Sequence, residues 1–259
     1  MKFGVVSKLE NIDLVASLGF DYIESYVTAI AAMSDEEFAA VETKLASAPI
    51  KVEACCVLLP DSVPVTGPNY DAAQQEAYLE KAFSRLQKLG VGPVVFGSGS
   101  ARKVPEGFDR AEAWHQLVQF GRLAARIAAK YGLTMVMEPL NTKETNVINT
   151  QIDGLKLMQD IDRPSFQILS DYYHLALAEE GRAEVAACGE NLRHTHIANP
   201  VGRVMPKEGD GIDYDAFFAG LADCGYCGRM SLEGRISDMK AELPEALAVL
   251  KKCAAKFGL

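Results

Sequence analysis

Four side chains of types that commonly bind metal ions stand at the ends of apolar segments of the sequence. They are Glu138, Asp171, His196 and Glu233. Each residue alone is compatible with a helix cap or an ion pair, but carboxylates that converge on one point repel one another and raise each other's pKa. Burying an unpaired charge also costs several kcal/mol. We therefore expect one divalent cation to lie among the four.

The composition of this set indicates which cation it would bind. Three carboxylates and one imidazole form a hard, oxygen-rich set, whereas zinc sites tend to be richer in thiolates and histidines. The expected ion is Mn²⁺, with Mg²⁺ or Co²⁺ as alternatives. The only glycine-rich turn, Phe96–Arg102, lacks the GxGxxG pattern of a dinucleotide site, so no organic cofactor is expected.

The elements that would position these side chains are eight short apolar segments that alternate with helical patterns. This alternation predicts a single (β/α)₈ TIM barrel of the α/β class, one domain over residues 1–259, rather than an open doubly wound sheet. In such a barrel the active site lies at the carboxyl ends of the strands, which is where the four residues stand. The predicted strands are Phe3–Val6, Tyr22–Glu24, Val52–Cys56, Val94–Gly97, Leu133–Glu138, Phe166–Asp171, Arg193–Ile197 and Arg229–Glu233.

The charge and composition of the chain disfavour several classes of protein. A formal net charge of −9 argues against binding to nucleic acid or to an anionic membrane. No apolar run approaches the ~20 residues that cross a bilayer, and the first residues, MKFGVVSKLENID, do not resemble a signal peptide. The CxxC pair, Cys224 and Cys227, lacks the second pair that a structural zinc site needs. We expect a cytoplasmic enzyme with a small-molecule substrate.

Five short motifs occur in order along successive predicted strands or the loops that follow them. They are EPLNTKE (Glu138–Glu144), SDYYH (Ser170–His174), HTHIAN (His194–Asn199), GDGIDY (Gly209–Tyr214) and SLEGR (Ser231–Arg235). Together they resemble the xylose isomerase-like barrel superfamily, in the sugar phosphate isomerase/epimerase branch that includes ketose 3-epimerases and hydroxypyruvate isomerases. The resemblance implies the same four metal ligands as above, a carbohydrate substrate, and a homodimer or homotetramer.

The resemblance also implies roles in catalysis and in substrate binding. Glu138 and Glu233 would act as the catalytic acid and base, and Glu144, His174 and Arg203 would contact the substrate. A proton beside a ketone is removable when the resulting cis-enediolate is stabilised, which a divalent cation does as a Lewis acid. Return of the proton on the opposite face inverts the carbon, as in ketose C3 epimerisation. Transfer between two carbons on one face would instead interconvert an aldose and a ketose, or isomerise hydroxypyruvate.

Three further functions are compatible with a barrel of this kind. A keto-inositol dehydratase would expel a hydroxyl from the enediolate, and a non-catalytic sugar-binding barrel would carry out no reaction. A DNA-repair endonuclease of the same superfamily would need a histidine-rich cluster of several metals and a basic groove. This acidic chain has four histidines in total, so the endonuclease is disfavoured.

Basic residues recur in the loops after the predicted strands, against the acidic character of the whole chain. They suggest a substrate that carries a phosphate or a carboxylate. Arg102, beside Ser98 and the exposed amides of the glycine turn, is the predicted contact. The basic residues are Arg102, Lys103, Lys143, Arg203, Lys207 and Arg235.

Three polar residues within predicted strands have roles that the sequence leaves less defined. Glu24 and Glu53 are compatible either with support of the site or with an ordinary salt bridge. His194 points the same way along its strand as His196 but lies one layer deeper in the barrel. We expect His194 to be packed and hydrogen-bonded there rather than to bind the metal.

Overall fold

A computed structural model describes residues 1–259 and shows ten α-helices around eight strands. The strands are β1 Lys2–Val6, β2 Tyr22–Tyr26, β3 Lys51–Cys56, β4 Pro93–Phe96, β5 Thr134–Met137, β6 Phe166–Asp171, β7 Leu192–Ile197 and β8 Arg229–Leu232. The helices are α1 Ile12–Ser17, α2 Val27–Ala32, α3 Asp35–Ala46, α4 Ala72–Leu89, α5 Arg110–Lys130, α6 Gln151–Ile161, α7 Tyr172–Leu177, α8 Arg182–Ala187, α9 Asp215–Asp223 and α10 Met239–Lys256.

The strands form one closed parallel barrel in which each pairs with its neighbours in chain order and β8 pairs with β1. The predicted (β/α)₈ fold is confirmed. Most strand residues are buried, because helices cover the outside of a parallel barrel while side chains fill its interior. The register places Asp171 beside His196 and His196 beside Ser231, so residues near the carboxyl ends of these neighbouring strands lie at one level.

Two of the four predicted metal ligands lie just outside the strands. Glu138 follows β5 and Glu233 follows β8, yet both keep hydrogen bonds of the barrel through their backbone N–H groups. Glu138 donates to the carbonyl oxygen of Phe96 at 3.2 Å, and Glu233 donates to that of Ile197 at 3.1 Å. These bonds fix the points from which the two carboxylate side chains start. Glu24 lies inside β2, which continues to Tyr26.

Side-chain caps fix the first turns of several helices. Ser34 and Glu37 form a capping box at the start of α3. Asp171, the last residue of β6, caps α7 by accepting a hydrogen bond from the N–H of Tyr173 at 2.9 Å. None of the helices combines the length and the apolar character that a membrane span requires.

Candidate metal centre and active site

The four predicted metal-binding residues meet at the carboxyl end of the barrel. Glu138, Asp171, His196 and Glu233 each offer one ligand atom, and these atoms lie within 4.8 Å of one another. The first three residues are buried, whereas the side chain of Glu233 is 19% exposed. Because the residues come from four consecutive strands, closure of the barrel assembles the cluster.

One unpartnered acceptor atom shows that a cation fits this cluster. Asp171 uses Oδ1 to cap α7, but its Oδ2 is buried without a hydrogen-bond partner. The Nε2 of His174 lies 3.4 Å from that oxygen, too far for a good hydrogen bond, so it does not satisfy Asp171 Oδ2. Leaving a buried acceptor unsatisfied is costly, and a divalent cation would satisfy it. Three carboxylates and one imidazole suit a cation that prefers oxygen ligands.

A buried carboxylate below the cluster holds the imidazole of His196 in place. Glu24 accepts hydrogen bonds from Nε2 of His196 at 3.1 Å and from Nε2 of His194 at 2.7 Å. A carboxylate can only accept, so the Nε2 proton of His196 points to Glu24. Its Nδ1 then faces Glu138 Oε1 at 3.1 Å and Glu233 Oε2 at 3.4 Å. Glu24 is therefore a positioning residue, since carboxylate–histidine pairs orient imidazoles that bind metals.

The structure separates the two glutamates whose roles the sequence left open. Glu24 is fully buried in the barrel, where it also accepts a hydrogen bond from the hydroxyl of Ser231 at 2.5 Å. Glu53 instead forms salt bridges with Lys2 and Arg229, residues at the amino ends of β1 and β8. Only Glu24 therefore supports the cluster.

Burial and crowding set the protonation of the cluster. Burial, together with the charges of Glu138 and Glu233, raises the pKa of Asp171 to about 8. Burial alone would lower the pKa of His196, but the carboxylates of Glu24 and Glu233 outweigh it and raise this pKa well above its usual value. Protons thus neutralise part of the carboxylate charge, which is the role that a bound cation would take over.

We expect the protein in a chelating buffer to lose stability as the pH rises from about 6.5 to 8. The ordinary pKa values of Asp and His are about 3.9 and 6.5, so the unfolded chain has released most of these protons in this interval. The folded protein retains them on Asp171 and His196. Each proton held only by the folded state lowers the free energy of unfolding by roughly 1.4 kcal/mol per pH unit. Thermal unfolding across this interval measures the effect.

Added Mn²⁺ should reverse this dependence, because ligands must lose their protons to bind a metal. The rise in Tm that Mn²⁺ produces should therefore grow between pH 6.5 and 8. A Tm in chelator that stays constant or increases over this interval would contradict the raised pKa values of Asp171 and His196.

Arg203 links two carboxylates at the opening of the cluster. Its guanidinium donates to Glu233 Oε2 at 2.6 Å and to Glu144 Oε1 at 3.1 Å, and it lies 4.7 Å from the ring centre of Tyr173. Burial lowers the pKa of Arg203, but Glu233 and Asp171 outweigh this effect and raise it, so the guanidinium stays charged. Two of the three residues that the resemblance assigned to substrate contact, Glu144 and Arg203, are thus bound to each other.

His174, the third residue that the resemblance assigned to substrate contact, is oriented by the loop after β5. Its Nδ1 accepts a hydrogen bond from the backbone N–H of Asn141 at 3.1 Å, so its proton resides on Nε2. Burial, followed by the charge of Arg203, lowers the pKa of His174 to about 3 and keeps the ring neutral. The Nε2–H faces Asp171 and can donate to an oxygen bound beside it.

The position of Arg102 corrects the prediction that it contacts a charged substrate. Its side chain is fully buried, and Nη2 donates to the carbonyl oxygen of Glu138 at 2.9 Å. Burial lowers its pKa to about 9, against the opposing effects of Glu138 and Glu144. The adjacent Ala101 is buried too, because this loop folds inward. Arg102 supports the backbone of a predicted metal ligand from behind and does not reach a substrate.

Two adjoining cavities open from the cluster, and both are lined by Glu144, Arg203 and Glu233. The inner cavity, of about 260 Å³, also includes Glu138 and the loops after β3 and β4. Ser98 lies on its wall, where the hydroxyl accepts a hydrogen bond from the N–H of Leu59 at 3.0 Å. The outer cavity has a volume of about 560 Å³. Apolar wall residues that no sequence signal distinguished from the core are Tyr26, Val57, Leu59, Leu140, Tyr173 and Leu177.

Known proteins with a similar sequence or fold include several epimerases. The L-ribulose 3-epimerase of Methylomonas sp. (strain DH-1) is 30% identical over 173 residues, which are 64% of this chain and 58% of that protein. The 3-dehydro-D-guloside 4-epimerase of Escherichia coli (strain K12) is 32% identical over 135 residues, 51% of each chain. A crystal structure of D-psicose 3-epimerase in the presence of D-fructose has a TM-score of 0.85 at 22% identity, covering 98% of this chain and 99% of that one.

The extent of these matches differs between sequence and fold. The aligned segments span little more than half the length of the two curated relatives, whereas the likeness in fold extends over nearly the whole chain. A family model described as a xylose isomerase-like TIM barrel matches residues 12–253. This match agrees with the motifs that occur in order along the strands, and the resemblance they indicated is confirmed. The chain belongs to the xylose isomerase-like TIM-barrel family.

Proposed function

We propose that this protein is a divalent-metal-dependent isomerase of carbohydrates that inverts C3 of a ketose. One observation carries the proposal: Glu138, Asp171, His196 and Glu233 place their ligand atoms within 4.8 Å of one another at the mouth of the barrel. The names of two relatives, a 3-epimerase and a 4-epimerase, support inversion of a sugar carbon as the reaction. Mn²⁺ is the proposed ion, because the set is rich in carboxylate oxygens.

The bound ion and the two glutamates would have different roles in the reaction. When bound, the cation would supply Lewis-acid stabilisation of the negative charge that develops on the substrate, worth several kcal/mol. One carboxylate, Glu138 or Glu233, removes the proton from the carbon beside the ketone, and the electron pair moves into the enediolate. The other carboxylate, protonated beforehand, donates its own proton to the opposite face of the same carbon, so the first ends protonated and the second ionised. A positioned acid or base typically contributes ~10²–10⁴-fold to the rate.

The residues around these glutamates support proton transfer without exchanging protons themselves. Arg203 holds Glu233 through the 2.6 Å hydrogen bond and so limits the directions that its carboxylate can take. The Nε2–H of His174 can donate to a substrate oxygen beside Asp171. Glu138 and Glu233 follow β5 and β8, which are separated by two strands of the barrel. They therefore approach a bound ketose from different sides, as inversion of one carbon requires.

The reaction is tested by incubating the Mn²⁺-loaded protein with ketoses and keto-acids in D₂O. We expect deuterium at C3 of both the substrate and its C3 epimer, and no exchange in chelator or with Glu233→Gln. Deuterium at C1 with formation of an aldose would identify an aldose–ketose isomerase instead. Release of water with a diketone product would identify a dehydratase. Absence of any exchange from a protein that binds Mn²⁺ and sugar would overturn the proposal in favour of a binding protein.

A further inference from the structure

The outer cavity extends the candidate active site away from the reacting groups. It shares Glu144, Arg203 and Glu233 with the inner cavity but does not include Glu138. A substrate whose reacting carbons lie between Glu138 and Glu233 can extend past Glu233 into the outer cavity. What this end can carry depends on the charges of the cavity wall.

Two cations of the outer cavity have no counter-ion. The carboxylates of Glu144 and Glu233 are both bound by Arg203. Lys143 and Arg235 line the same cavity, are exposed, and form neither a salt bridge nor a side-chain hydrogen bond. Eleven of the 26 lysine and arginine side chains form a salt bridge with a carboxylate, so an unpaired cation is common in this chain. What distinguishes Lys143 and Arg235 is that both line the cavity that opens from the cluster.

The backbone holds both cations in fixed relation to the active site. The N–H of Lys143 donates to Asn141 Oδ1 at 3.0 Å, and Asn141 is the residue that orients His174. The N–H of Arg235 donates to the carbonyl oxygen of Arg203 at 2.6 Å. These bonds fix the backbone positions from which the two side chains start, at the wall of the outer cavity.

We propose that the outer cavity binds an anionic group, a carboxylate or a phosphate, at the end of the substrate remote from the reacting carbons. The inference rests on the proposed function for the position of those carbons. Lys143 supplies a point charge, and Arg235 supplies a planar fork that suits carboxylate and phosphate oxygens. Together they replace Arg102 as the residues that recognise a charged substrate.

The test compares each neutral ketose with its charged counterpart. D-Fructose, D-fructose 6-phosphate and a keto-acid of similar length are assayed for exchange of the proposed C3 proton. We expect kcat/KM to be higher for an anionic member than for D-fructose. In Lys143→Ala and in Arg235→Ala the ratio of anionic to neutral kcat/KM should fall about fivefold each, as expected for an exposed ionic contact of ~1 kcal/mol. Lys240→Ala, an exposed lysine outside the cavity, should leave the ratio unchanged.

A binding measurement tests the cavity independently of turnover. Glucitol and glucitol 6-phosphate are titrated calorimetrically into the Mn²⁺-loaded protein at low and high salt. We expect the phosphate to bind more tightly, by a margin that shrinks with salt and in the two cavity variants. Preference for the keto-acid over the sugar phosphate in the first assay would assign the anion as a carboxylate, and the reverse preference would assign it as a phosphate.

Different experimental results would overturn the anion site and the proposed function. Equal kcat/KM for neutral and anionic ketoses, with the same ratio in Lys143→Ala and Arg235→Ala, would overturn the anion site. The proposed epimerase activity would be unaffected by that result. If no compound exchanges a proton, the proposed function fails, and the titrations decide the anion site. Equal affinity for glucitol and its phosphate would then overturn the anion site as well.

Discussion

Replacing Glu138 by Gln is expected to abolish Mn²⁺ binding at micromolar concentrations and to reduce kcat/KM by at least about a thousandfold. Gln keeps the shape of the side chain but removes one of the three negative charges that face the cation. It also removes a proposed acid or base, so binding and catalysis fail together. Calorimetric titration with Mn²⁺ and a polarimetric assay of epimerisation measure the two effects separately.

The stability of the Glu138→Gln protein separates loss of a ligand from loss of fold. Burial and the charge of Glu233 raise the pKa of Glu138, so a neutral amide at this position relieves repulsion. In chelator its Tm should therefore equal or exceed that of the unaltered protein, whereas the rise in Tm with added Mn²⁺ should vanish. Glu106→Gln, at an exposed residue without a salt bridge, is the matched control and should change neither property. Unaltered affinity for Mn²⁺ in Glu138→Gln would exclude this cluster as the metal site.

Replacing Glu24 is expected to have the second largest effect, although this residue does not face the cavity. Glu24→Ala would leave the donors of His194, His196 and Ser231 unpaired in the core, and breaking a buried charged contact costs about 3–5 kcal/mol. Glu24→Gln should fold better, because it keeps the volume and one acceptor oxygen. We still expect its affinity for Mn²⁺ to fall about 10- to 100-fold, since it holds the Nε2–H of His196 less firmly.

The control for Glu24 is Glu53, another strand glutamate with two hydrogen-bonded partners. Its side chain is 16% exposed and lies at the opposite end of the barrel. Glu53→Gln should cost no more than about 1 kcal/mol and leave Mn²⁺ affinity unchanged. Denaturant unfolding in chelator gives the free energies, and metal titration gives the affinities. Equal Mn²⁺ affinities of Glu24→Gln and the unaltered protein would show that His196 needs no support from Glu24.

The sequence was sufficient to predict the barrel and the clustering of the four predicted metal ligands at one end of it. The strands are short apolar runs, and in a closed parallel barrel the carboxyl ends of all strands face one mouth. Any ligand that ends such a run, as Asp171 ends β6, is therefore delivered to the same place. Glu138 and Glu233 lie one residue beyond their strands. They still reach the cluster, because their N–H groups remain hydrogen-bonded to neighbouring strands.

Contacts across the barrel and the conformations of loops were not predictable in this way. Glu24 reaches His196 only because the pairing of β8 with β1 closes the barrel and leaves just these two strands between β7 and β2, which no local sequence pattern encodes. Arg102 was assigned to the mouth because it follows a glycine turn, yet the loop turns inward and buries the guanidinium against Glu138. The unpaired state of Lys143 and Arg235 likewise depends on which carboxylates Arg203 has already bound.

The placement of the final strand has a consequence for the biogenesis of the protein. Glu233 follows β8, which joins both β7 and β1 and so completes the ring. A nascent chain that lacks this strand carries the other three ligands but no closed ring to hold them. Uptake of the ion with full affinity should thus be a late event in maturation, and it would report that the ring has closed.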